Sequence, residues 1–195
     1  MIKIALAGNP NSGKTTVFNA LTGKLERVGN WSGVTVEKKE AYLKRRFNTI
    51  DEDVLIVDLP GVYSLEAYTK DEQQASDFIH RENIDVIINI VDASHLERSL
   101  YLTTELKKLG IPLVVALNKS DIVERRKTTI DTEILSEHLE CAVIFTKADR
   151  KKGLKNLVMT ALEKGEKTPR GTRRKKRGKR PRRKGHHDKS SSGCH

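Results

Sequence analysis

The chain has 195 residues and a formal net charge of +11, from 37 lysines and arginines against 26 aspartates and glutamates. This length is enough to bury a core. Two cysteines, Cys141 and Cys194, exclude a disulfide-stapled secreted scaffold and favour a reducing compartment. No apolar run approaches about 18 residues, so no bilayer-spanning helix is predicted. The first apolar run is broken at Lys3, unlike a signal peptide, and we expect an intracellular domain.

Apolar runs alternate with amphipathic segments along the first 166 residues. The apolar runs predict strands, and the segments between them predict helices. This alternation is typical of an α/β fold with a mainly parallel sheet, here six-stranded, covered by helices on both faces. The predicted strands span 2–7, 35–43, 53–58, 85–91, 112–117 and 142–146, and the predicted helices lie near 14–22, 68–81, 98–109, 132–138 and 153–164.

The first predicted strand runs into a complete G-x-x-x-x-G-K-[ST] phosphate-binding loop, which opens the first helix. In this arrangement backbone N–H groups and the positive end of the helix dipole face phosphate oxygens. Lys14 is predicted to reach the β- and γ-phosphates, and the Thr15 hydroxyl is predicted to ligate Mg²⁺. The predicted phosphate-binding residues are Gly8, Asn9, Pro10, Asn11, Ser12, Gly13, Lys14, Thr15 and Thr16.

Two later segments are predicted to complete the contacts to magnesium and the γ-phosphate. Asp58-Leu59-Pro60-Gly61 ends an apolar strand. There Asp58 would hold Mg²⁺, usually through water, and the N–H of Gly61 would meet the γ-phosphate. Upstream, Thr35 offers a second hydroxyl to the metal. Loss of the γ-phosphate would release the segment after Asp58, so that segment is predicted to be a switch.

The residue that follows Gly61 bears on the rate at which a bound nucleotide would be hydrolysed. Ras-like enzymes place a water-orienting glutamine there. Here the residue is Val62, whose side chain cannot hydrogen-bond a water molecule. Intrinsic hydrolysis is therefore predicted to be slow unless another group orients the water, and no arginine finger can be assigned.

The motif Asn118-Lys119-Ser120-Asp121 follows an apolar strand, at the end where open α/β sheets bind ligands. The Asp121 carboxylate can accept parallel hydrogen bonds from N1–H and the 2-amino group of guanine, which adenine lacks. Asn118 is predicted to bridge back to the phosphate loop, and the Lys119 stem to lie along the base. The motif therefore predicts GTP and GDP as ligands. Asp92 lies at the same edge and is interpreted as a loop cap.

With these motifs in place, the sequence resembles the G domain of the ferrous iron transport protein B (FeoB) family of GTPases. The resemblance covers about residues 1–165, and its specific parts are the stretch around Trp31 and the extension Tyr63-Ser64-Leu65. It implies a Ras-like P-loop fold and GTP hydrolysis. It also implies a membrane transport domain, absent from this chain, that would hold the domain at the inner face of the cell membrane.

The resemblance also implies roles for individual residues. A loop at Thr146-Lys147-Ala148 would cap the guanine, with Lys147 standing where relatives usually have serine. Gly33 and Val34 would join Thr35 at the nucleotide. A potassium ion would be held by the Asn11 side chain and by carbonyls around Gly29 and Trp31. The implied catalytic set is Lys14, Thr35, Gly61 and Asn11, with GTP or GDP, Mg²⁺ and K⁺ as cofactors.

The surplus of positive charge lies in residues 167–195. This segment holds 13 lysines and arginines and one aspartate, a net of +12, and leaves 24 basic and 25 acidic residues for 1–166. It has no leucine, isoleucine, valine or aromatic residue, so it is predicted to be disordered. We divide the chain into a GTP-binding domain at 1–166 and a polybasic tail at 167–195. The tail is predicted to attract anionic lipid or RNA, or to be only a solvated appendage.

Two functions stay open from the sequence. One is the regulatory GTPase part of a ferrous iron transporter, favoured by Trp31 and the Tyr63-Ser64-Leu65 extension. The other is a soluble RNA- or ribosome-associated GTPase, supported only by the tail. A scaffold that binds nucleotide without hydrolysis is disfavoured by the magnesium set Thr15, Thr35 and Asp58. A second copy of the chain is a candidate partner.

Overall fold

A computed structural model describes residues 1–30, 37–66, 69–125 and 129–166. Its strands are β1 (Ile2–Gly8), β2 (Thr22–Asn30), β3 (Glu37–Leu43), β4 (Val54–Asp58), β5 (Val86–Asp92), β6 (Leu113–Asn118) and β7 (Ala142–Phe145). Its α-helices are α1 (Lys14–Leu21), α2 (Lys70–Arg81), α3 (Leu96–Lys108), α4 (Ser120–Arg125), α5 (Thr132–Leu139) and α6 (Leu154–Glu166), and single 3-10 turns lie at Ala93–His95 and Ala148–Arg150.

The strands form one sheet in the order β2-β3-β4-β1-β5-β6-β7. Strand β1 pairs in parallel with β4 and β5, and the parallel ladder continues through β6 to β7. Strands β2 and β3 pair antiparallel, as do β3 and β4. The α/β fold with a mainly parallel sheet is therefore confirmed.

The prediction of six strands was wrong, because the described residues form seven. The strand that the sequence did not predict is β2. Its sequence, TGKLERVGN, holds two glycines and three charged residues and has no alternating apolar pattern. It forms because it pairs antiparallel with β3, with an irregularity between Thr22 and Glu26. Tertiary pairing thus overrides weak local β-propensity at a sheet edge. The short helix α4 was also missed.

The core lies on both faces of the sheet, as period-two alternation requires. Ile4 and Leu6 of β1 pack on one face with apolar residues of α1 and α6. Ala5 and Ala7 pack on the other with α2, α3 and α5. Because both faces are covered, the loops at the carboxyl ends of β1, β4, β5 and β6 are left to form a site.

Several predictions fall outside the described residues. They concern Trp31, Gly33, Val34 and Thr35, and the tail at 167–195.

Cys141 is buried, and burial raises the pKa of its thiol, which keeps it protonated. Within the described ranges, no helix is both long enough and apolar enough to cross a bilayer.

Candidate nucleotide site

The phosphate loop makes a tight turn between β1 and α1. The N–H of Ser12 donates to the carbonyl of Asn9 at 3.1 Å. Gly13 stands at the start of α1 with a φ of 93°, a left-handed conformation that glycine adopts readily. A Cβ on Gly13 would collide with the side-chain amide of Asn118. The two loops therefore approach each other as closely as they do because this residue is glycine.

The start of α1 has the donors that an anion needs. Among the described residues, no side chain caps this end of the helix. The first N–H groups of a helix lack partners within it and carry the positive end of its dipole. The buried Ser12 hydroxyl also has no hydrogen-bond partner in the described part of the chain. Buried polar atoms usually have one, so this donor set fits a phosphate group.

Lys14 and Asp58 bring the phosphate and magnesium motifs together. The ammonium of Lys14 lies 2.6 Å from Oδ1 of Asp58, and both side chains are about nine-tenths buried, at 10% and 9% exposed. Thr15, the next residue of α1, is exposed at the same loop. A carboxylate and a hydroxyl are hard oxygen ligands of the kind that Mg²⁺ prefers. The residues thus fit a nucleotide with its magnesium ion.

The segment after Asp58 is held against the phosphate loop by its backbone. The N–H of Leu59 donates to the carbonyl of Leu6 at 3.0 Å, and the N–H of Val62 donates to the carbonyl of Gly8 at 3.2 Å. A Cβ on Gly61 would lie 3.3 Å from the Cα of Pro10. The Val62 side chain is buried in the core. It therefore points away from solvent and cannot orient a water molecule.

Asn118 joins the phosphate loop to the loop after β7. Its side-chain NH₂ donates to the carbonyl of Ser12 at 3.0 Å, which confirms the predicted bridge. Its side-chain oxygen accepts from the N–H of Ala148 at 3.1 Å and from the hydroxyl of Thr146 at 3.4 Å. Asn118 is 3% exposed, so these bonds are shielded from water. One amide thus fixes three segments.

The Lys119 ammonium group donates hydrogen bonds to two different segments of the chain. The ammonium donates to the carbonyl of Asn11 and to Oδ2 of Asp92, each at 2.7 Å. The other oxygen of Asp92 accepts from the N–H of Ser94 at 2.9 Å. Burial of the Asp92 carboxyl favours its neutral form, but the hydrogen bonds from Lys119 and Ser94 outweigh burial and lower its pKa. Asp92 is a loop cap, as interpreted from the sequence, and also the partner of Lys119.

The other residues predicted to contact the base lie around this anchor. Asp121 is in the first turn of α4 and is partly buried. Thr146 is held next to β6, since its N–H donates to the carbonyl of Leu117 at 2.9 Å. Lys147 pairs with Lys152 across the loop, and Ala148 is buried. The structure therefore brings the Asn118-to-Asp121 motif and the Thr146-to-Ala148 loop to one edge of the sheet.

The predicted potassium site is only partly described. Asn11 is exposed at the tip of the phosphate loop and has a φ of 63°. Gly29 lies in β2, opposite Lys38 in β3. Trp31 lies outside the described residues, and the assignment of this site remains a prediction.

Sequence reasoning missed the contacts that α3 makes with the Tyr63-Ser64-Leu65 extension. Glu105, 7% exposed, accepts from the hydroxyl of Ser64 at 3.2 Å and from the N–H of Leu65 at 2.7 Å. The guanidinium of Arg98 lies 4.2 Å from the centre of the Tyr63 ring. One feature of the sequence could have indicated these contacts. Glu105 directly precedes Leu106, on a helix face that packs in the core, and a carboxylate placed there needs hydrogen-bond partners.

Comparison with known sequences identifies the family. A family model, FeoB_N, described as ferrous iron transport protein B, matches residues 2–161. The Fe(2+) transporter FeoB of Salmonella typhimurium LT2 is 51% identical over 160 residues, which are 80% of this chain and 20% of that protein. The FeoB of Escherichia coli K12 shows the same identity and coverage. The chain thus spans about a fifth of the length of the curated relatives it matches.

Solved structures of FeoB proteins also match this chain. A crystal structure of an S. thermophilus NFeoB mutant bound to GDP matches with a TM-score of 0.80 and 42% identity, over 87% of this chain and 65% of that one. The cytosolic domain of L. pneumophila FeoB matches with a TM-score of 0.78 and 49% identity, over 83% and 63%. That of T. maritima FeoB in its apo form matches with a TM-score of 0.80 and 37% identity, over 87% and 66%.

These matches support the predicted Ras-like GTPase fold, and they support the iron-transport interpretation rather than the RNA-associated GTPase. They cover the same residues that carry the phosphate loop, the Asp58 segment and the Asn118-to-Asp121 motif. The chain belongs to the ferrous iron transport protein B (FeoB) family, and it is similar to the N-terminal cytosolic G domain of that family.

Proposed function

We propose that this chain binds GTP and GDP and hydrolyses GTP, as the nucleotide-dependent switch domain of a ferrous iron transporter. The observation that carries the proposal is the set of bonds made by Asn118, which connect the phosphate loop to the Thr146-to-Ala148 loop in one buried network. That network sets the phosphate-binding and base-binding motifs at a fixed separation. The GDP-bound relatives support the choice of nucleotide.

Different segments of the chain bind different parts of the nucleotide. The loop from Gly8 to Thr15 surrounds the phosphates, and Lys14 supplies positive charge where negative charge develops on the γ-phosphate. Asp121 selects guanine, and the N–H of Ala148, which donates to the Asn118 side chain in this structure, would exchange or share that bond to donate to a guanine carbonyl. Gly61 and Thr35 are the residues that respond to the γ-phosphate. Because the buried Val62 side chain has no group that can hydrogen-bond the attacking water, we expect slow intrinsic hydrolysis of GTP.

Lys14 gains a phosphate partner when nucleotide binds. Its ammonium has three N–H donors and lies 2.6 Å from Asp58, so it can bond to phosphate in addition to that carboxylate or in place of it. Asp58, Thr15 and Thr35 would then hold Mg²⁺, which neutralises charge on the phosphates. Asn11, with carbonyls near Gly29 and Trp31, would hold K⁺, which adds positive charge beside the transferring group.

The wider context is proposed from the relatives. Because the chain spans 20% of the curated FeoB proteins, we propose a membrane transport domain as its partner and the inner face of the cell membrane as its location. Fe²⁺ would be the cargo of that membrane domain. A second copy of the chain and, for the tail, anionic lipid or nucleic acid are further proposed partners.

Phosphate release from GTP tests this function. The full chain with Mg²⁺ should release phosphate from GTP in repeated turnovers. Lys14→Ala should weaken GTP binding about 10- to 100-fold, because a charge-assisted hydrogen bond contributes roughly 1.5–3 kcal/mol. Lys108→Ala is the matched control, since Lys108 is exposed at the far end of α3. Absence of GTP turnover, or equal losses in the two variants, would contradict the proposal.

A further inference from the structure

We propose that Asp92 is a positioning residue for guanine recognition: it holds the Lys119 ammonium against the phosphate loop so that the Lys119 stem lies where the base binds. The inference rests on the proposed function, because the base of a nucleotide is what Lys119 would contact. It adds a residue from β5 to a site otherwise built from the phosphate loop, the switch segments and the loops after β6 and β7.

The geometry gives the two carboxylate oxygens of Asp92 separate tasks. Oδ1 accepts from the N–H of Ser94 at 2.9 Å and from its hydroxyl at 2.6 Å, which closes the turn at Ala93–His95. Oδ2 accepts from the Lys119 ammonium at 2.7 Å. The imidazole of His95 is 3.6 Å from Oδ2 but is mostly exposed. Capping alone would need only one oxygen, so the second can position Lys119.

The position of Lys119 depends on this contact. Its side chain is 31% exposed and that of Asp92 is 12% exposed, so the pair is partly shielded from solvent. The same ammonium donates to the carbonyl of Asn11 at 2.7 Å. A lysine side chain has a flexible four-carbon stem and adopts many conformations when nothing holds its end. Two short charge-assisted bonds in different directions restrict it to one path across the site.

The backbone supports the same arrangement. Asp92 lies beside Asn118 in the parallel register of β5 and β6, so it ends the strand next to the base-binding motif. Asn11 and Lys119 both have left-handed backbones, with φ of 63° and 61°, which non-glycine residues seldom adopt. The bond between the Asn11 carbonyl and the Lys119 ammonium joins these two residues directly. Asp92 therefore stabilises a close contact between the phosphate loop and the base loop.

The test is a double-mutant cycle on GDP affinity, measured by calorimetry with the full chain. Asp92→Asn removes the charge but keeps an oxygen that caps the turn. It should weaken GDP binding at least about threefold in the wild-type background, a size typical of coupled contacts. In a Lys119→Met background, which keeps the stem and removes the ammonium, Asp92→Asn should cause no further loss. Ser94→Ala is the control, because it removes a bond to Oδ1 without touching Lys119.

The outcomes separate the two proposals. If Asp92→Asn weakens GDP binding by the same factor in both backgrounds, or not at all, Asp92 does not act through Lys119 and this inference is overturned. If the wild-type chain binds no GDP, the proposed function and this inference both fall. Asp92→Ser, which also keeps a capping oxygen, should repeat the result of Asp92→Asn, and thermal melting without nucleotide should show that each variant folds.

Discussion

At the scale of single residues, the site depends on a few side chains that hold several segments at once. Asn118 does so with its amide, and Lys119 with its ammonium. Removing one partner from a buried polar network leaves the others without bonds, which costs more than the bond itself. Asn118 is also packed so closely against Gly13 that a larger residue at position 13 would collide with it.

The proposed role of Asn11 gives a prediction at this scale. Hydrolysis of GTP should be faster in potassium than in sodium, because Val62 leaves the attacking water without a side-chain partner and a bound cation would supply charge in the transition state. Asn11→Ala should bring the ratio of the two rates to one. Asn11→Gly should do the same without backbone strain, since the φ of 63° suits glycine. The measurement is single-turnover hydrolysis at matched ionic strength.

The wild-type chain is its own reference for this ratio. Equal rates in the two salts, or an Asn11→Gly protein that keeps the potassium effect, would contradict the role given to Asn11. A change in the absolute rate alone would not support it, because a substitution at Asn11 can also shift the backbone carbonyl that accepts from Lys119.

At the scale of elements, α3 is the helix that connects the phosphate loop to the segment after Asp58. At one end the side-chain amide of Asn9 lies 3.5 Å from the carbonyl of Arg98, and the Arg98 guanidinium stacks on Tyr63. Two turns later Glu105 accepts bonds from Ser64 and Leu65. We infer that α3 fixes the start of the segment that would respond to the γ-phosphate.

Glu105 tests this role of α3. Glu105→Ala should lower the free energy of unfolding by about 1–3 kcal/mol, because it leaves the N–H of Leu65 and the hydroxyl of Ser64 without their carboxylate partner. It should also raise amide exchange in residues 63–66 above that of the wild type. Glu105→Gln, which keeps an acceptor oxygen, should lower the free energy of unfolding by less than Glu105→Ala does. Unfolding in urea and hydrogen exchange measure the two effects.

An exposed glutamate on another helix provides the control. Glu163→Ala changes the same residue type at the surface of α6 and should alter neither quantity appreciably. If Glu105→Ala unfolds at the same urea concentration as the wild type, and residues 63–66 exchange at the wild-type rate, then α3 does not hold this segment.

Much of this fold was predictable because its signals are local. The apolar runs indicated β1, β4, β5 and β6, and the glycine and lysine positions indicated the phosphate loop. Strand β2 was not predictable, because its charged, glycine-containing sequence forms a strand only through β3. The Lys119–Asp92 pair and the Glu105–Leu65 contact join residues 27 and 40 positions apart, and no sequence pattern connects them.

At the scale of the whole molecule, charge and core are separated along the chain. Residues 1–166 carry a net charge of −1, and residues 167–195 carry +12. The described core clusters lie within the first part and use both faces of the sheet. Because residues 167–195 contain no leucine, isoleucine, valine or aromatic residue that could add to a core, the domain is expected to fold without the tail.

Truncation tests this separation. A chain ending at Glu166 should keep the melting temperature and GDP affinity of the full chain, because its core and its site residues are intact. It should lose any salt-sensitive retention on anionic vesicles or RNA, since such binding depends on the surplus of positive charge. Thermal melting and vesicle flotation at two salt concentrations measure this. A truncated chain that unfolds would show that the domain boundary is misplaced.

The central claim is that this chain recognises guanine nucleotides, and calorimetry with GDP and ADP in the presence of Mg²⁺ tests it most directly. We predict that GDP binds at least about 100-fold more tightly than ADP, because the Asp121 carboxylate can pair with the N1–H and 2-amino group of guanine, and adenine has no donor at either position. Asp121→Asn should narrow that difference, mainly by weakening GDP binding. Equal affinity of the wild-type chain for GDP and ADP would contradict the claim.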